Sequence, residues 1–381
     1  MGDPEEMEDI QCRVFSSPPV SAIGDDMWSF AYRSVRNGIF YHGGAAMKRI
    51  AINGLGRIGR LVLRCYMKAK PKDFEIVALN DLTPPSEMAY LIKYDSIHRK
   101  AGFSVEAAEG ALILDGKSVP LFSEKDPSKL PWKELNVDIV LECTGFFTKR
   151  EKAAAHLAAG AKRVIISAPA DDADLTVVLG VNEKLYDPSK HAVVSNASCT
   201  TNSLAPVTKV LHEAFGIESL MGTTIHAYTS TQVLVDVPRG GGRKGRAAAV
   251  SLVPATTGAA KAMVPLFPEL KGKMDMISVR VPVADGSLTD VVVHLKKEVT
   301  VESVNAALKA AAEGSLKGIV EFCNEEIVSA DIIGNSHSGI VDALSTKVIM
   351  GHIAKVMIWY DNEYGYSNRM LELAMYMAGR E

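Results

Sequence analysis

The sequence predicts a chain of two domains: a first domain of the α/β class on a parallel sheet, and a second of the α+β class with a mostly antiparallel sheet. Three observations lead to this prediction. The chain has 381 residues, which is enough for two separate hydrophobic cores. In its first half, strand patterns alternate with helix patterns, as they do in parallel sheets. In its second half, from residue 276 onward, strand patterns follow one another with few helices between them, as in antiparallel sheets.

The first element is a strand at residues 49–53, which leads into the glycine turn 54–59 and a helix that continues from Arg60. A second strand, 75–79, is followed closely by Asp81. The three glycines of the turn are Gly54, Gly56 and Gly59. This is the fingerprint of a Rossmann dinucleotide-binding domain: glycines let the backbone approach a pyrophosphate, the helix N-terminus faces its charge, and an acid about 20 residues on accepts the ribose hydroxyls. Because this acid would repel a 2′-phosphate, the sequence predicts NAD as the cofactor rather than NADP.

The parallel sheet is predicted to continue with strands at 138–141 and 163–167. Between them an alanine-rich helix is expected to begin with a capping box from Thr148 to Glu151 and to end at Gly160. The carboxyl ends of strands in such sheets face the ligand crevice. The residues predicted to line that crevice from these strand ends are Thr144, Gly145 and Ser167.

Cys199 is the candidate nucleophile. It follows a short strand, 192–194, and precedes a segment with helical spacing that ends at Gly216. The surrounding stretch 195–202 is rich in Ser, Thr and Asn, which cap helix N-termini, so Cys199 is expected in or next to the first helical turn. There the helix dipole and unpaired N–H groups should stabilise a thiolate and lower the thiol pKa. Burying so many polar side chains would require many hydrogen-bond partners, which argues against a cysteine that merely packs in the core.

His226 lies near the end of a strand predicted at 220–229, far along the chain from Cys199. A lone histidine is either a structural residue or the base that activates the cysteine, and the sequence leaves both interpretations open. The following loop, 238–246, is basic and glycine-rich, and is either a solvated surface loop or a source of cations for an anionic ligand. The remaining predicted elements are strands at 276–283, 288–296 and 353–360, a helix at 301–313 and an amphipathic terminal helix at 367–378.

Composition excludes several functional classes. A net charge of -3 gives no electrostatic reason to expect a nucleic acid or an anionic membrane as partner, and no apolar run approaches the roughly 20 residues that span a bilayer. The five cysteines show neither a disulfide framework nor metal-ligand spacing, so no metal is expected and the reducing cytoplasm is the predicted location. Residues 1–46 are acidic and lack a sustained period. We expect them to be disordered, and they match neither a secretory signal nor a transit peptide.

The stretch 195–202 reads SNASCTTN, and together with residues 51–60 it resembles phosphorylating glyceraldehyde-3-phosphate dehydrogenase. The similarity extends over residues 48–381 and includes the segments 225–229, 254–262, 280–282 and 359–368. The resemblance implies a glycolytic homotetramer that uses NAD to oxidise and phosphorylate glyceraldehyde 3-phosphate with inorganic phosphate. It also implies that Cys199 forms a hemithioacetal and then a thioester, with His226 as the base.

The resemblance further implies residue sets for binding. For the substrate and inorganic phosphate they are Ser198, Thr200, Thr229, Thr257, Gly258 and Arg280. For the cofactor they are Arg57, Ile58, Asp81, Lys125, Ser167 and Asn362, in addition to the three glycines of the turn.

The expected domain boundaries follow from the motifs and the resemblance. Residues 1–46 form an extension, 47–197 the Rossmann domain together with a returning helix at 363–381, and 198–362 the catalytic domain. Two alternatives stay open at this point. The first is erythrose-4-phosphate dehydrogenase, against which the intact 256–260 segment TTGAA speaks. The second is a non-catalytic NAD-binding scaffold that uses the extension as an interaction arm.

Overall fold

The protein is described by a computed structural model that covers residues 47–238 and 242–380. The predicted extension 1–46 and part of the basic loop, residues 239–241, lie outside the described residues. The strands are β1 (Lys48–Asn53), β2 (Phe74–Asn80), β3 (Val105–Ala108), β4 (Ala111–Leu114), β5 (Lys117–Phe122), β6 (Ile139–Glu142), β7 (Arg163–Ile166), β8 (Leu175–Thr176), β9 (Val193–Ser195), β10 (Ile217–Ala227), β11 (Val253–Thr256), β12 (Met274–Val281), β13 (Ser287–Leu295), β14 (Val320–Cys323), β15 (Gly339–Ile349) and β16 (Ile353–Tyr360). The helices are α1 (Arg57–Ala69), α2 (Pro85–Lys93), α3 (Arg150–Ala153), α4 (Ala155–Ala158), α5 (Cys199–Phe215), α6 (Ala259–Met263), α7 (Val301–Glu313) and α8 (Tyr364–Ala378).

The first sheet confirms the predicted α/β class. Its nine strands lie in the order β3-β4-β5-β2-β1-β6-β7-β9-β8. All neighbours from β5 to β8 run parallel, and only the β3-β4-β5 meander is antiparallel. The carboxyl ends of β1, β2 and β6 therefore lie side by side at one edge, where ligands bind in sheets of this kind.

The second sheet confirms the predicted mostly antiparallel class. Its seven strands lie in the order β11-β12-β10-β13-β16-β15-β14. The pairs β10/β12 and β14/β15 are parallel, and the other four are antiparallel. Helices α5 and α7 pack on this sheet and share its core, which includes Leu204, Leu308 and Val356.

Helix α8 returns from the second sheet to pack against α1. Its residues Tyr364, Met370 and Met377 belong to the core of the first sheet. Every residue of the helix except Glu372 is buried, so the helix is enclosed on nearly all sides rather than along one stripe. The terminal segment is thus part of the first domain in space.

One predicted helix differs from the structure. The capping box from Thr148 to Glu151 is not formed, because the helix begins later than predicted, with Lys149 at the N-cap and without a side-chain cap. The alanine-rich body is two short helices, α3 and α4, that meet at Ala154. Among the described residues, no helix has both the length and the apolar composition needed to cross a bilayer.

Candidate active site

A cavity of about 540 Å³ opens at the carboxyl ends of β1, β2 and β6. It is lined by Asn53, Gly54, Gly56, Asn80, Asp81, Leu82, Glu124, Lys125, Cys143, Thr144, Phe146 and Phe147. The structure therefore brings together four residues of the predicted cofactor set, Gly54, Gly56, Asp81 and Lys125, with the predicted crevice residue Thr144. Ile58, Gly59 and Ser167 do not line this cavity.

Each of the three glycines of the turn is needed for a different structural reason. Gly54 has φ +89°, and a Cβ there would lie 2.6 Å from the backbone nitrogen of Thr144. Gly59 packs so closely that its Cβ would lie 1.9 Å from the carbonyl oxygen of Gly54. At Gly56 the space is open to 4 Å, next to the cavity. The first and third glycines thus shape the turn, and the second leaves room for a ligand to approach the backbone.

Asp81 is held at the edge of the cavity by backbone hydrogen bonds. Its Oδ2 accepts from the N–H of Leu55 at 2.7 Å, and its Oδ1 accepts from the N–H of Thr83 at 3.0 Å. The carboxylate therefore closes the glycine turn and keeps a fixed orientation beside the cavity. An additional phosphate group at this position would be repelled by the negative charge of Asp81.

Arg57 and Asn362 have their polar partners outside the residues that line this cavity. The Arg57 guanidinium donates to Asp95 Oδ2 at 2.5 Å and, through Nε, to Glu363 Oε1 at 2.8 Å. Asn362 accepts from the Ser287 hydroxyl at 2.6 Å. Neither residue lines the cavity, so their expected cofactor contacts remain predictions. The Arg57 ion pairs instead join α1 to Asp95, which follows α2, and to Glu363 at the start of α8.

Cys199 is the first residue of α5, which confirms its predicted place at a helix start. Ser198 is the N-cap, and its Oγ accepts from the N–H of Thr201 at 3.0 Å. The preceding Ala197 has φ +56°, and its carbonyl accepts from the Tyr366 hydroxyl at 3.0 Å. A tyrosine of α8 thus helps to hold the turn that presents the cysteine.

The polar residues after Cys199 are buried, contrary to the expectation from the sequence. Thr200 is 4% exposed, and its hydroxyl hydrogen-bonds with the Tyr360 hydroxyl at 3.0 Å. Ser203 donates to the Thr200 carbonyl at 3.0 Å, and Asn202 Nδ2 donates to the carbonyl of Asn196 at 2.7 Å. These partners come from the first helix turn, from Asn196 just before it and from β16, and the local sequence does not show the contact with β16. Cys199 itself stays partly exposed.

The structure brings His226 to Cys199: the Sγ–Nε2 distance is 3.4 Å. His226 lies on β10 in register with Arg280 on the parallel neighbour β12. The His226 Nδ1 is 2.7 Å from the Ala227 carbonyl, and Arg280 Nη1 lies 2.9 Å from Nδ1 and 3.1 Å from the same carbonyl. We assign the ring proton to Nδ1, where it donates to Ala227, because a carbonyl can only accept and this tautomer leaves Nε2 able to accept the thiol proton. Arg280 then donates to the same carbonyl and acts on the ring through its charge, not through a hydrogen bond to Nδ1.

Burial decides the charges of the pair. It lowers the pKa of His226 to about 3, with the Arg280 charge acting in the same direction. Burial also raises the pKa of Cys199, although Arg280 and the N–H of Thr200 oppose the shift. The expected lowering of the thiol pKa is therefore wrong for the free enzyme: the helix-start donors are present, but desolvation outweighs them. The pair is a neutral thiol beside a neutral imidazole.

Tyr360 is a residue of this site that the sequence did not single out. Its hydroxyl hydrogen-bonds with Thr200 and, at 2.7 Å, with the Thr224 hydroxyl of β10. Its ring packs edge-on against His226, with centroids 5.9 Å apart. Tyr360 thus connects the cysteine helix to the histidine strand. Its segment 359–368 was part of the resemblance, but no local pattern shows which tyrosine would reach the pair.

The other predicted anion-site residues make local contacts. The Thr229 hydroxyl is 3.0 Å from that of Thr231, and the Thr257 hydroxyl accepts from the N–H of Ala259 at 3.2 Å. Gly258 is the N-cap of α6. In the basic loop, Arg246 forms a surface ion pair with Asp236 at 2.8 Å.

Comparison with known proteins identifies close relatives. Residues 48–150 match the family described as "Glyceraldehyde 3-phosphate dehydrogenase, NAD binding domain", and residues 198–362 match its "C-terminal domain". The chain is 54% identical over 332 residues to a glyceraldehyde-3-phosphate dehydrogenase of Geobacillus stearothermophilus, covering 87% of this chain and 98% of the relative. It is 57% identical over 326 residues to the same-named protein of Thermotoga maritima, covering 86% and 98%.

Proposed function

The chain belongs to the glyceraldehyde-3-phosphate dehydrogenase family, and from this premise we propose how its own residues carry out the reaction. The protein is an NAD-dependent glycolytic enzyme that oxidises and phosphorylates D-glyceraldehyde 3-phosphate to 1,3-bisphosphoglycerate. The roles of individual residues are our proposal, and the observation that carries them is the 3.4 Å contact between Cys199 Sγ and His226 Nε2.

The cavity fits the cofactor. It combines an open approach to the backbone at Gly56 with the fixed carboxylate of Asp81, as a dinucleotide requires for its pyrophosphate and its ribose hydroxyls. When bound, NAD supplies the hydride acceptor. We assign Gly54, Gly56 and Gly59 to the turn around the pyrophosphate and Asp81 to the ribose. The remaining cofactor contacts that we propose are Arg57, Ile58, Lys125, Ser167 and Asn362.

The first half-reaction uses the neutral pair. Transfer of the Cys199 proton to His226 Nε2 creates a thiolate, which adds to the aldehyde carbon of the substrate. The imidazolium returns the proton to the substrate oxygen, which completes the hemithioacetal. His226 then accepts the hydroxyl proton as hydride leaves the carbon, and the product is a thioester on Cys199.

The second half-reaction releases the acyl group. An oxygen of inorganic phosphate adds to the thioester carbon, the carbon–sulfur bond breaks, and His226 returns its proton to the sulfur. A tetrahedral oxyanion forms on the way, and the N–H groups at the start of α5 are the donors that can stabilise it. The products are the acyl phosphate and the regenerated thiol. One proton per turnover goes to solvent.

We assign the two anionic groups to Ser198, Thr200, Thr229, Thr257, Gly258 and Arg280. The guanidinium of Arg280 supports this assignment most directly, because it lies beside His226 at 2.9 Å and is oriented by the Ala227 carbonyl. A cation at this distance from the pair can bind a phosphate group and orient the aldehyde toward the sulfur. The hydroxyls and backbone groups of the other five residues are donors of the type that phosphate requires.

We further propose that the chain is a homotetramer. Its second sheet leaves large apolar side chains exposed on the face opposite its helices, among them Met221 (68%), Ile277 (47%) and Val292 (41%). The loop before β11 exposes Leu234 (84%) and Val250 (79%). Apolar surfaces of this kind on a water-soluble enzyme are typical of subunit interfaces. Sedimentation equilibrium should give four times the chain mass, and a monomer at micromolar concentration would contradict this.

The domain division proposed here is 47–197 with 363–381, and 198–362, and the return of α8 to the first core supports it. We also propose a cytoplasmic location, without nucleic-acid or membrane partners. The described cysteines Cys65, Cys143, Cys199 and Cys323 are all free thiols, as in a reducing compartment. Fractionation of cells should recover the protein with other cytoplasmic enzymes.

The decisive experiment follows absorbance of NADH with glyceraldehyde 3-phosphate, with and without inorganic phosphate. We expect steady turnover only with phosphate, and without it at most one NADH per active site, because the thioester cannot leave. Sustained turnover without phosphate would contradict the proposed second half-reaction. A lower kcat/KM with glyceraldehyde 3-phosphate than with erythrose 4-phosphate would favour the alternative substrate.

Iodoacetamide separates the enzyme from a non-catalytic scaffold. We expect selective alkylation of Cys199 with parallel loss of activity, because this thiol is partly exposed and has His226 Nε2 at 3.4 Å to accept its proton. Burial raises the pKa of Cys65 well above its usual value and that of Cys143 to about 12, so these thiols should stay unmodified. Equal labelling of Cys199 and the half-buried Cys323, with activity retained, would contradict the assignment.

A further inference from the structure

A buried hydrogen-bond network lies directly behind the cofactor cavity, around the carboxylate of Glu142. Glu142 is the last residue of β6 and is 1% exposed. It lies in register with Asn53 at the end of β1, which lies in register with Asn80 at the end of β2. Both asparagines line the cavity. The network thus joins three neighbouring strand ends from the side of the protein interior.

Four hydrogen-bond donors point at this carboxylate. Its Oε2 accepts from Asn53 Nδ2 at 2.5 Å and from His156 Nε2 at 3.0 Å. Its Oε1 accepts from the backbone N–H of Thr144 at 2.8 Å and also from the Thr144 hydroxyl. Asn53 Oδ1 in turn accepts from Asn80 Nδ2 at 2.7 Å. All contacts of Glu142 are therefore those of an ionised acceptor.

Trp132 fixes the protonation of His156. The indole Nε1 of Trp132 can only donate, and it lies 2.9 Å from His156 Nδ1. Nδ1 is therefore the unprotonated nitrogen, and the single ring proton is on Nε2, where it faces Glu142. Both rings are fully buried, at 0% exposure. His156 is thus a neutral donor held in one tautomer, and the negative charge of the network stays on Glu142.

The stability of the fold does not account for the buried charge of Glu142. An ionised group in the interior is costly to desolvate, and apolar residues of similar volume often stabilise a core as well or better. Three of its four donors belong to Asn53 and Thr144, which form the cavity wall. Thr144 also packs against Gly54: a Cβ atom at Gly54 would lie only 2.6 Å from the backbone nitrogen of Thr144. The carboxylate therefore holds the cavity wall in a single arrangement.

We infer that Glu142 is a positioning residue for NAD, acting through Asn53 and Thr144 without touching the cofactor itself. The inference rests on the assignment of this cavity to NAD made above. Glu142 holds the cavity ready for the cofactor, so its loss raises the cost of ordering the wall during binding. The chemistry at Cys199 lies in the other domain, and Glu142 has no contact with it. The effect must therefore fall on cofactor affinity and not on the chemical step.

The test is Glu142→Gln. The amide keeps the shape, but in either orientation its NH₂ group faces a donor, either His156 or Thr144, so the network cannot be satisfied. We expect the Kd and KM for NAD to rise on the order of tenfold, the size of one charge-assisted hydrogen bond. The kcat at saturating NAD, the KM for glyceraldehyde 3-phosphate and the rate of Cys199 alkylation without NAD should stay within about twofold. An unchanged Kd, or a kcat loss equal to the rise in KM, overturns the inference.

A matched control comes from the second domain. Glu321 accepts from Asn335 Nδ2 at 2.8 Å and lies 3.0 Å from His337 Nδ1, so it has the same types of partner. Glu321→Gln should leave NAD binding unchanged. If Glu142→Gln does not fold, Thr144→Val removes the hydroxyl donor to Glu142, together with the acceptor for the N–H of Phe146, and we expect a rise of about threefold in the Kd for NAD. An unchanged Kd in Thr144→Val overturns the inference as well.

Asp81→Ala distinguishes the two levels of assignment. Asp81 lines the cavity directly, so its loss must weaken NAD binding if the cavity is the NAD site. If NAD binding is weakened in Asp81→Ala but unchanged in Glu142→Gln, only the positioning role is rejected. Unchanged binding in both rejects the cavity as the cofactor site.

Discussion

The cofactor cavity and the thiol–imidazole pair are built in different ways. At the cavity, charge is held in place by backbone groups: Asp81 accepts from the N–H groups of Leu55 and Thr83. At the pair, burial raises the pKa of Cys199 and lowers that of His226 to about 3, so both groups are kept neutral. A permanent charge suits recognition of a ligand that does not change there, whereas a neutral pair suits a site where protons must move in both directions.

The largest expected effect is at the pair. Cys199→Ser should reduce phosphate-dependent NADH formation by roughly 10⁴-fold or more, because an alkoxide cannot be formed as readily as a thiolate. The Kd for NAD, measured by titration, should stay near the wild-type value, since the cavity is built by the other domain. A variant that lost cofactor binding together with turnover would break the distinction between the two regions.

His226→Asn should lower kcat by roughly 10²–10⁴-fold, the usual contribution of a general base. It should also slow Cys199 alkylation, because Nε2 no longer accepts the thiol proton at 3.4 Å. Stopped-flow measurement of hydride transfer locates the loss in the chemical step. If alkylation stayed as fast as in the wild type, another base would have to serve the thiol.

Asp81→Ala tests whether the fixed carboxylate at the cofactor cavity selects NAD over NADP. Removal of a fixed carboxylate should improve kcat/KM with NADP relative to NAD by about tenfold or more, because the repulsion of a 2′-phosphate disappears. Turnover at saturating NAD should change little. An unchanged NAD:NADP preference would mean that this carboxylate does not discriminate between the cofactors.

Arg280→Gln tests how the guanidinium affects the pKa values of Cys199 and His226. The guanidinium lowers the pKa of both His226 and Cys199, so its removal should raise both. The pH profile of Cys199 alkylation should therefore move to higher pH, with a slower rate at pH 7. Alkylation is chosen as the measurement because it requires no substrate phosphate. A profile that moved to lower pH would contradict the geometry.

The smallest effect on turnover is expected at Asp285, a buried carboxyl that does not line the cofactor cavity. Burial and the neighbouring Asp361 and Glu363 raise its pKa well above the ordinary range of a carboxyl, and its Oδ2 lies 3.4 Å from His98 Nε2. A carboxyl whose folded pKa is raised stabilises the fold while it is protonated, and this contribution is lost as pH rises toward the folded pKa. As pH rises above the ordinary carboxyl range toward the raised pKa, the free energy of unfolding should therefore fall, by at most about 1.4 kcal/mol per pH unit from this group.

Asp285→Asn removes that dependence. The amide cannot ionise, so the melting temperature of the variant should fall less between pH 6 and 9 than that of the wild type, with kcat at pH 7 nearly unchanged. Equal pH dependence in the two proteins would show that Asp285 is already ionised at pH 6.

The same contrast explains what the sequence could predict. The glycine turn, Asp81 and the helix start at Cys199 depend on contacts within about 30 residues, and local spacing was sufficient for them. The meeting of Cys199 with His226 depends on the register of β10 beside β12 and on the position of α5 over the sheet. No local pattern encodes such a register, and the resemblance alone pointed to it.

Other misses have the same origin. The 11-residue strand β15 was not predicted, because its residues mix apolar and polar types without a clean alternation. Tyr360 is expected only as the last residue of the strand 353–360, and Glu142 only as a residue that follows the strand 138–141, because their partners, Thr224 and His156 among them, come from distant elements. The thiol pKa was predicted in the wrong direction because the helix start is visible in the sequence but the degree of burial is not.

The return of α8 to the first domain has a consequence for biosynthesis. Met370, Leu373 and Met377 complete a core whose other members, such as Ile52 and Leu79, leave the ribosome about 300 residues earlier. The nucleotide-binding half therefore cannot close until translation is almost finished, and its apolar surface stays open while the other half is made. Premature termination before Tyr364 should therefore yield a product that aggregates instead of a smaller folded domain.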